Sequence, residues 1–207
     1  MNNSVFSTRA VSVYKALFFS EYYSVSKKAI DCGAGGNNPP IQIFEKNGYK
    51  TVGIDIDENQ IAQANRVFME KEYRTRILKD DFRCIHQADN EFGCSYSYNS
   101  VFHMKKEDVK KSIMEMIRIT EPGGVIYFNL LHKNDCGYGN GKRIDNDSFE
   151  DLNDGIIHSY YLDDEIDKDV NNCELLEKEI KNVQRQYENR IIHQWFIEYF
   201  YRKNGAT

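Results

Sequence analysis

The sequence has few prolines and no cysteine pair of the kind that binds zinc. Only three prolines occur among 207 residues, and the five cysteines, at 32, 84, 94, 136 and 173, form no C-x-x-C pair. An odd, scattered set of cysteines indicates reduced thiols in a cytoplasmic protein rather than a disulfide framework. For the same reason we expect no zinc or other metal centre.

The chain also lacks a long apolar run and an excess of basic residues. Its most apolar early stretch, AVSVYKALFF, is short and precedes Glu21, so the sequence predicts neither a membrane span nor a cleavable leader. The net charge is −5. Because a general nucleic-acid binder usually carries a basic face, we expect no nucleic-acid partner. The composition, 41% hydrophobic and 29% charged, is that of an ordinary globular protein.

Strand-like and helix-like segments alternate through the first two thirds of the chain. This alternation is typical of βαβ units around a parallel sheet, which bind ligands at the carboxyl ends of the strands. The predicted strands are 27–32, 50–55, 75–80, 93–98 and 125–131, and the predicted helices are 8–23, 41–48, 57–72 and 105–120.

The pattern changes after the fifth predicted strand. Residues 132–160 are polar and rich in glycine, which predicts a loop or cap insertion over the site, and residues 163–170 predict a short helix. Two long strands joined near Glu188–Asn189 then predict an antiparallel hairpin. The expected fold class is α/β: a Rossmann-like, doubly wound, mostly parallel seven-stranded sheet with a C-terminal antiparallel hairpin.

The stretch AIDCGAGGNNPP places a glycine loop directly after the first predicted strand. Gly33 and Gly35 fit the first two positions of the G-x-G-x-x-G dinucleotide fingerprint, but Asn38 occupies the third. The missing third glycine weakens a nicotinamide site, because that glycine lets helix and strand pack closely beside a pyrophosphate. A P-loop is excluded, since no Lys-Ser or Lys-Thr pair follows.

Carboxylates at the ends of the next two predicted strands favour a nucleoside ligand. Asp55 ends the second strand, where a carboxylate can accept both hydroxyls of a ribose. Asp81 follows the third strand and can accept from an adenine amino group, with Phe82 beside it to cover the ring.

Five segments together resemble the class I S-adenosylmethionine (SAM)-dependent methyltransferases, most of all the small-molecule enzymes of bacterial type. The segments are DCGAGG, VGIDID, LKDDF, YSYNSVFHM and RITEPGG, in that order, between about residues 27 and 131. The resemblance implies SAM as the cofactor. It also implies a single methyltransferase domain over 1–207, with an N-terminal helical segment at 1–26.

The resemblance assigns the glycine loop and the second strand end to the cofactor. Gly33, Ala34 and Gly35 would pass its methionine end along the backbone. Asp55 would bind the ribose, and Ile56 would contact the adenine.

The remaining roles fall on residues near the other strand ends. Asp81 and Phe82 would bind the adenine, and Tyr98 would border the sulfonium and the acceptor. Arg9 either pairs with the cofactor carboxylate or is a solvated side chain.

Histidines are the candidates for a general base. In-line methyl transfer needs a base only when the acceptor holds its proton tightly. His103 and His132 follow the fourth and fifth predicted strands and join Tyr98 as candidate catalytic residues, whereas His158 is expected to pack. Acidic residues between 145 and 165 predict a solvated face rather than a metal site.

The function that we expect is methyl transfer from SAM to an O or N atom of a small molecule. Two alternatives stay open: a non-catalytic protein that binds the nucleoside, and, less favoured, an NAD-dependent oxidoreductase. The expected partner is the small-molecule acceptor, and the protein would be a cytoplasmic monomer or homodimer.

Overall fold

A computed structural model describes residues 10–187 and 190–205 of the chain. The helices are α1 (Val11–Tyr22), α2 (Gln42–Lys46), α3 (Glu58–Glu70) and α4 (Lys106–Ile119). The parallel strands of the first half are β1 (Lys28–Cys32), β2 (Lys50–Asp55), β3 (Ile77–Lys79), β4 (Phe92–Ser97) and β5 (Thr120–His132). The later strands are β6 (Lys142–Arg143), β7 (Ser148–Glu150), β8 (Ile157–Tyr161), β9 (Cys173–Tyr187) and β10 (Arg190–Lys203).

Seven of the described strands form one continuous path, in the order β3-β2-β1-β4-β5-β10-β9. Strands β1 to β5 are parallel, while β10 runs antiparallel to both β5 and β9. The expected Rossmann-like sheet with its C-terminal hairpin is therefore confirmed. The predicted hairpin turn at Glu188–Asn189 lies outside the described residues.

Helices cover both faces of the sheet. The α1 face, which α1, α2 and α3 cover, buries side chains such as Leu17, Phe44 and Tyr127. The α4 face buries Ile113 and Met116 of α4, together with partners on the sheet. Within the described ranges, no helix is long and apolar enough to cross a bilayer.

The predicted insertion contains a small sheet rather than only a loop. Strands β6, β7 and β8 form an antiparallel meander, hereafter the meander (residues 142–161). Its last strand, β8, joins the carboxyl end of β5 in parallel through the pairs Leu131–Tyr160 and His132–Tyr161. The large sheet therefore branches at the end of β5, which the sequence did not predict.

Two local predictions were wrong. Residues 163–170 form turns instead of a helix, because their carboxylates bind lysines elsewhere: Lys178 contacts Asp164 and Asp167 at 2.7 Å. The EPGG stretch was expected to separate α4 from the fifth strand. Instead β5 begins at Thr120, directly after α4, with a shift in its register to β4.

Candidate active site

The glycine loop follows β1 and turns tightly against the end of β2. The N–H groups of Gly33 and Ala34 both donate to the carbonyl oxygen of Ile54, at 2.8 and 2.9 Å. Gly33 has a φ of +87°, and a Cβ atom there would lie 1.9 Å from Oγ of Ser100. Only glycine fits, so the loop presents bare backbone at the carboxyl end of the sheet.

The Asp55 carboxylate at the end of β2 ties this loop to the start of α3. Its Oδ2 atom accepts from the N–H of Gly35 at 2.8 Å, and its Oδ1 atom accepts from the N–H of Asp57 at 2.9 Å. A carboxylate has about four acceptor positions, so about two remain for ribose hydroxyls. Ile56 beside it is 59% exposed and offers an apolar surface for an adenine ring. This arrangement fits the nucleoside part of SAM.

The third strand end places Asp81 on the surface and Phe82 in the core. The guanidinium of Arg83 forks onto Asp81, with Nη2 to Oδ2 at 2.7 Å and Nε to Oδ1 at 2.9 Å. These hydrogen bonds hold the pKa of Asp81 below its usual range. An adenine amino group would share this carboxylate with Arg83. Phe82 is only 8% exposed and packs in the α4-face core.

The structure describes one of the other two expected cofactor contacts, Tyr98, but not Arg9. Tyr98 lies just past β4 and is partly buried against the α1-face core. Arg9 lies outside the described residues.

A cavity of about 350 Å³ opens beyond the carboxyl ends of β4 and β5. The loop after β4, the segment between β5 and the meander, the meander itself and the C-terminal hairpin all contribute to its wall. Its lining comprises Asn99, Phe102, His103, Leu131, Asp135, Cys136, Gly137, Asn140, Asp151, His158, Tyr160, Arg185, Gln194 and Phe196.

Two imidazoles meet in this cavity. The rings of His103 and His158 are 4.7 Å apart between centroids and nearly perpendicular, at 81°. The N–H of Ser159 donates to the carbonyl oxygen of Phe102 at 2.9 Å, which sets the meander strand beside the loop after β4. The contact thus joins two distant parts of the sequence, and spacing alone did not reveal it.

His103 is open to the cavity yet crowded by protein atoms. That crowding, followed by the neighbouring His158, lowers the pKa of His103 to about 4. His103 is therefore neutral at neutral pH, with one unprotonated nitrogen that can accept a hydrogen bond from an acceptor O–H or N–H group.

His132 has a different environment. Successive side chains of a strand point to opposite faces, and Leu131 lines the cavity, so His132 points to the α4 face. There it is 6% exposed. Its Nε2 atom contacts Oδ1 of Asp163 at 2.7 Å, and its Nδ1 atom accepts from the N–H of Asn134 at 2.9 Å. With both nitrogens engaged, the ring is held as a structural element.

An amide pair that the sequence analysis missed fixes the loop after β4. The side chain of Asn129 on β5 accepts from the N–H of Asn99 at 2.7 Å and donates to the Asn99 side chain at 2.6 Å. Asn99 has a φ of +56°, a conformation that asparagine tolerates better than most residues. This pairing holds the loop that carries Tyr98, Ser100 and His103.

Lysines pair with the acidic residues of the insertion. Lys106 contacts Asp147 at 3.0 Å and also binds Glu165, and Lys133 contacts Asp147 at 2.9 Å. Among the described residues, no group of three His, Cys, Asp or Glu side chains is placed to hold a metal ion.

Comparisons with known proteins point to one family. Residues 29–124 match the model of a methyltransferase domain family. The chain is 27% identical over 122 residues to the sterol 24-C-methyltransferase of Aspergillus fumigatus, covering 54% of this chain and 32% of that protein. It is 24% identical over 150 residues to the phosphoethanolamine N-methyltransferase of Plasmodium falciparum, covering 61% of this chain and 53% of that protein. The chain therefore spans less than two thirds of the length of these curated relatives.

Solved structures share the fold. A SAM-dependent methyltransferase from Methanosarcina mazei superposes with a TM-score of 0.70 at 17% identity, over 86% of this chain and 93% of that one. The similarity shows a common Rossmann-like fold.

Proposed function

We propose that the chain is a class I SAM-dependent methyltransferase and that it methylates an O or N atom of a small polar molecule held in the cavity. The match of residues 29–124 to a methyltransferase domain model supports this proposal. The observation that carries this proposal is the position of the cavity. The cavity opens at the carboxyl ends of β4 and β5, and the glycine loop and Asp55 lie at the carboxyl ends of β1 and β2. The neutral imidazole of His103 lines the cavity. Donor and acceptor sites thus share one edge of the sheet.

The cofactor that this family and fold imply is SAM, whose sulfonium carries the methyl group in an already activated form. We propose that the backbone of Gly33, Ala34 and Gly35 accommodates its methionine end and that Asp55 accepts from the ribose hydroxyls.

The outer cofactor contacts complete the proposed site. Ile56, Asp81 and the Phe82 region would hold the adenine, and Tyr98 would border the methyl group. Arg9 remains a candidate partner for the cofactor carboxylate.

Positioning is the main contribution of this chain to the reaction. Holding the acceptor in line with the methyl carbon can supply roughly 7–11 kcal/mol of the barrier. His103 would take the acceptor proton, which typically adds about 10²–10⁴-fold in rate. Among the proposed catalytic residues we favour His103 over His132, because His132 lies on the other face with both ring nitrogens engaged.

The insertion at 132–160 is the proposed cap of the acceptor site. It supplies part of the cavity wall, including Asp135, Asp151 and His158. A cavity of about 350 Å³ suits a small acceptor. Five unpaired cysteines fit the proposed cytoplasmic location, and the net charge of −5 fits the absence of a nucleic-acid partner.

Calorimetric titration tests the cofactor assignment. We expect SAM and S-adenosylhomocysteine to bind, NAD not to bind, and Asp55→Ala to weaken the affinity by about 10- to 100-fold, since hydrogen bonds to a charged group are lost. Glu58→Gln is the matched control, because Glu58 is an exposed neighbour that pairs with Lys79. Binding of NAD alone, or equal affinity in Asp55→Ala, would overturn the assignment.

A methylation assay with a panel of small alcohols, phenols and amines then tests the reaction. Transfer that falls in His103→Gln while S-adenosylhomocysteine still binds would support the proposed base. Cofactor binding without transfer to any of these acceptors would favour the non-catalytic alternative.

A further inference from the structure

An arginine lies in the wall of the cavity with no carboxylate to pair it. Arg185 sits on β9 opposite Ile192 of β10, and its half-buried side chain lines the cavity together with His103 and His158. It comes from the hairpin, a part of the chain that the cofactor residues do not use.

Three other arginines of the protein, unlike Arg185, pair with carboxylates. Arg83 pairs with Asp81, Arg118 pairs with Glu115 and Asp89, and Arg66 pairs with Glu70. Among the side chains that the structure describes, none forms an ion pair or a hydrogen bond with the Arg185 guanidinium. A guanidinium always carries its charge and has five N–H donors in a fixed fork, so this one retains its full capacity to bind an anion.

The two carboxylates of the cavity, Asp135 and Asp151, accept hydrogen bonds from backbone N–H groups, and neither pairs with Arg185. Asp135 accepts from the N–H of Gly137 at 2.8 Å and from that of Trp195 at 2.9 Å. Asp151 accepts from the N–H of Asn153 at 2.7 Å. These bonds shape the loops of the cavity, and Arg185 is the arginine in its wall.

We propose that Arg185 is an anion site for the methyl acceptor, so that the acceptor carries a carboxylate or phosphate group in addition to the atom that is methylated. Both anions match the planar fork of a guanidinium, which binds them through two parallel hydrogen bonds. The anionic end would lie at β9 while the O–H or N–H group faces His103. The term acceptor rests on the proposed function, whereas the anion site stands on its own.

Titration with simple anions tests the site without knowledge of the acceptor. Sodium phosphate and sodium acetate are added to the full chain at pH 7.5 and constant ionic strength, with sodium chloride as the reference, and the Arg185 Nε–H and nearby amide signals are followed by NMR. We expect a saturable shift at Arg185 and at the cavity residues for phosphate, acetate or both. The anion that binds more tightly identifies the acceptor group.

Matched variants complete the test. Arg185→Gln should weaken anion binding by about tenfold or more, because charge-assisted hydrogen bonds are lost. Arg185→Lys should give an intermediate loss, since the charge remains without the fork. Arg66→Gln, which changes an exposed arginine on α3, should bind as the wild type does. Shifts no larger than those with chloride, or equal shifts in Arg185→Gln, would overturn the proposal.

One further measurement distinguishes an error in the anion site from an error in the methyltransferase assignment. Calorimetry of Arg185→Gln with S-adenosylhomocysteine should give the wild-type affinity. If the adenosyl ligand binds and the anions do not, only the anion site is wrong. If the anions bind at Arg185 and no adenosyl ligand binds, the anion site stands and the methyltransferase assignment fails.

Discussion

Gly33 has two separate reasons to be glycine, its positive φ and the approach of Ser100. We predict that Gly33→Ala lowers the free energy of unfolding by about 2 kcal/mol or more, since a strained backbone residue alone costs about 1–3 kcal/mol. Gly48→Ala is the control, because Gly48 has a φ of +82° with nothing within 4 Å of the added Cβ. It should lose only the backbone contribution, about 1–2 kcal/mol. Urea unfolding measures both, and equal losses would contradict the close contact with Ser100.

The pKa values of two histidines should be shifted in opposite directions. The hydrogen bond to Asp80 raises the pKa of His86, whereas crowding and His158 lower the pKa of His103 to about 4. Between pH about 6.5 and about 4, His103 is protonated in the unfolded chain but stays neutral in the folded protein. His103 therefore makes the protein less stable as pH falls from about 6.5 to about 4. NMR titration of the ring signals measures both pKa values, and a His103 pKa above 6.5 would contradict the cavity geometry.

His158 should act on His103 through its charge. Removing that charge in His158→Gln should raise the pKa of His103, while the larger effect of crowding stays. The acidic limb of the pH–rate profile should then move to higher pH. His86→Gln is the control and should leave the His103 titration unchanged, because His86 pairs with Asp80.

At the residue scale, the sequence predicted the groups at strand ends better than the groups around the cavity. Asp55 and Gly33 follow from position alone, because parallel strands bring their carboxyl ends together. Strand alternation, applied to Leu131 and His132, would have placed His132 on the far face. Arg185 and His158 line the same cavity only in the folded chain, and no local pattern predicts that arrangement.

At the element scale, Lys106 joins the first turn of α4 to the insertion. It binds Asp147, just before β7, and Glu165 in the turns after β8, and all three side chains are at least two thirds buried. We predict that Lys106→Met lowers stability by about 1–3 kcal/mol, since charged hydrogen bonds to both carboxylates are lost and Asp147 keeps only Lys133 as its cationic partner.

Hydrogen exchange should localise that loss. The amides of the meander should exchange faster in Lys106→Met, and those of β1 and β4 should not change. Lys110→Met is the control, because Lys110 forms a single, more exposed pair with Asp169. Uniform acceleration throughout the sheet would show that Lys106 stabilises the whole fold instead.

Periodicity predicted the long elements and failed for the short ones. The helices α3 and α4 and the strands of the parallel sheet follow the pattern of apolar residues. Strands β6 and β7 have two and three residues, too few for any period to appear. At 163–170, ion pairs with distant lysines override the local helical preference.

At the scale of the whole molecule, ligand binding should appear as added thermal stability. A ligand at 100 times its dissociation constant stabilises the folded state by about 2.7 kcal/mol. For a chain of this size, that corresponds to a rise in Tm of about 5–10 °C. We predict such a rise with S-adenosylhomocysteine, measured by differential scanning calorimetry, and none with NAD at the same concentration. A rise with NAD alone would contradict the nucleoside site.

The overall topology was predictable because helices follow the first, second and fourth predicted strands, and such βαβ connections allow few sheet orders. The branch at β5 was not, since β8 takes the edge of β5 that β4 leaves free beyond Phe128, while β10 occupies the opposite edge. β10 pairs with β5 from Val125 to Leu131, and β8 pairs with its last two residues.

That branch separates the part of the site that would hold the acceptor from the part that would hold the cofactor. Among the described residues, strand pairing joins the meander to the large sheet at Leu131–Tyr160 and His132–Tyr161, whereas the glycine loop and Asp55 belong to strands on the far side of β4. Evolution can therefore replace the meander without rebuilding the strands that carry the cofactor residues. Protein engineers have the same opportunity: residues 133–158 form a cassette, and exchanging it is the direct route to a new acceptor on an unchanged cofactor scaffold.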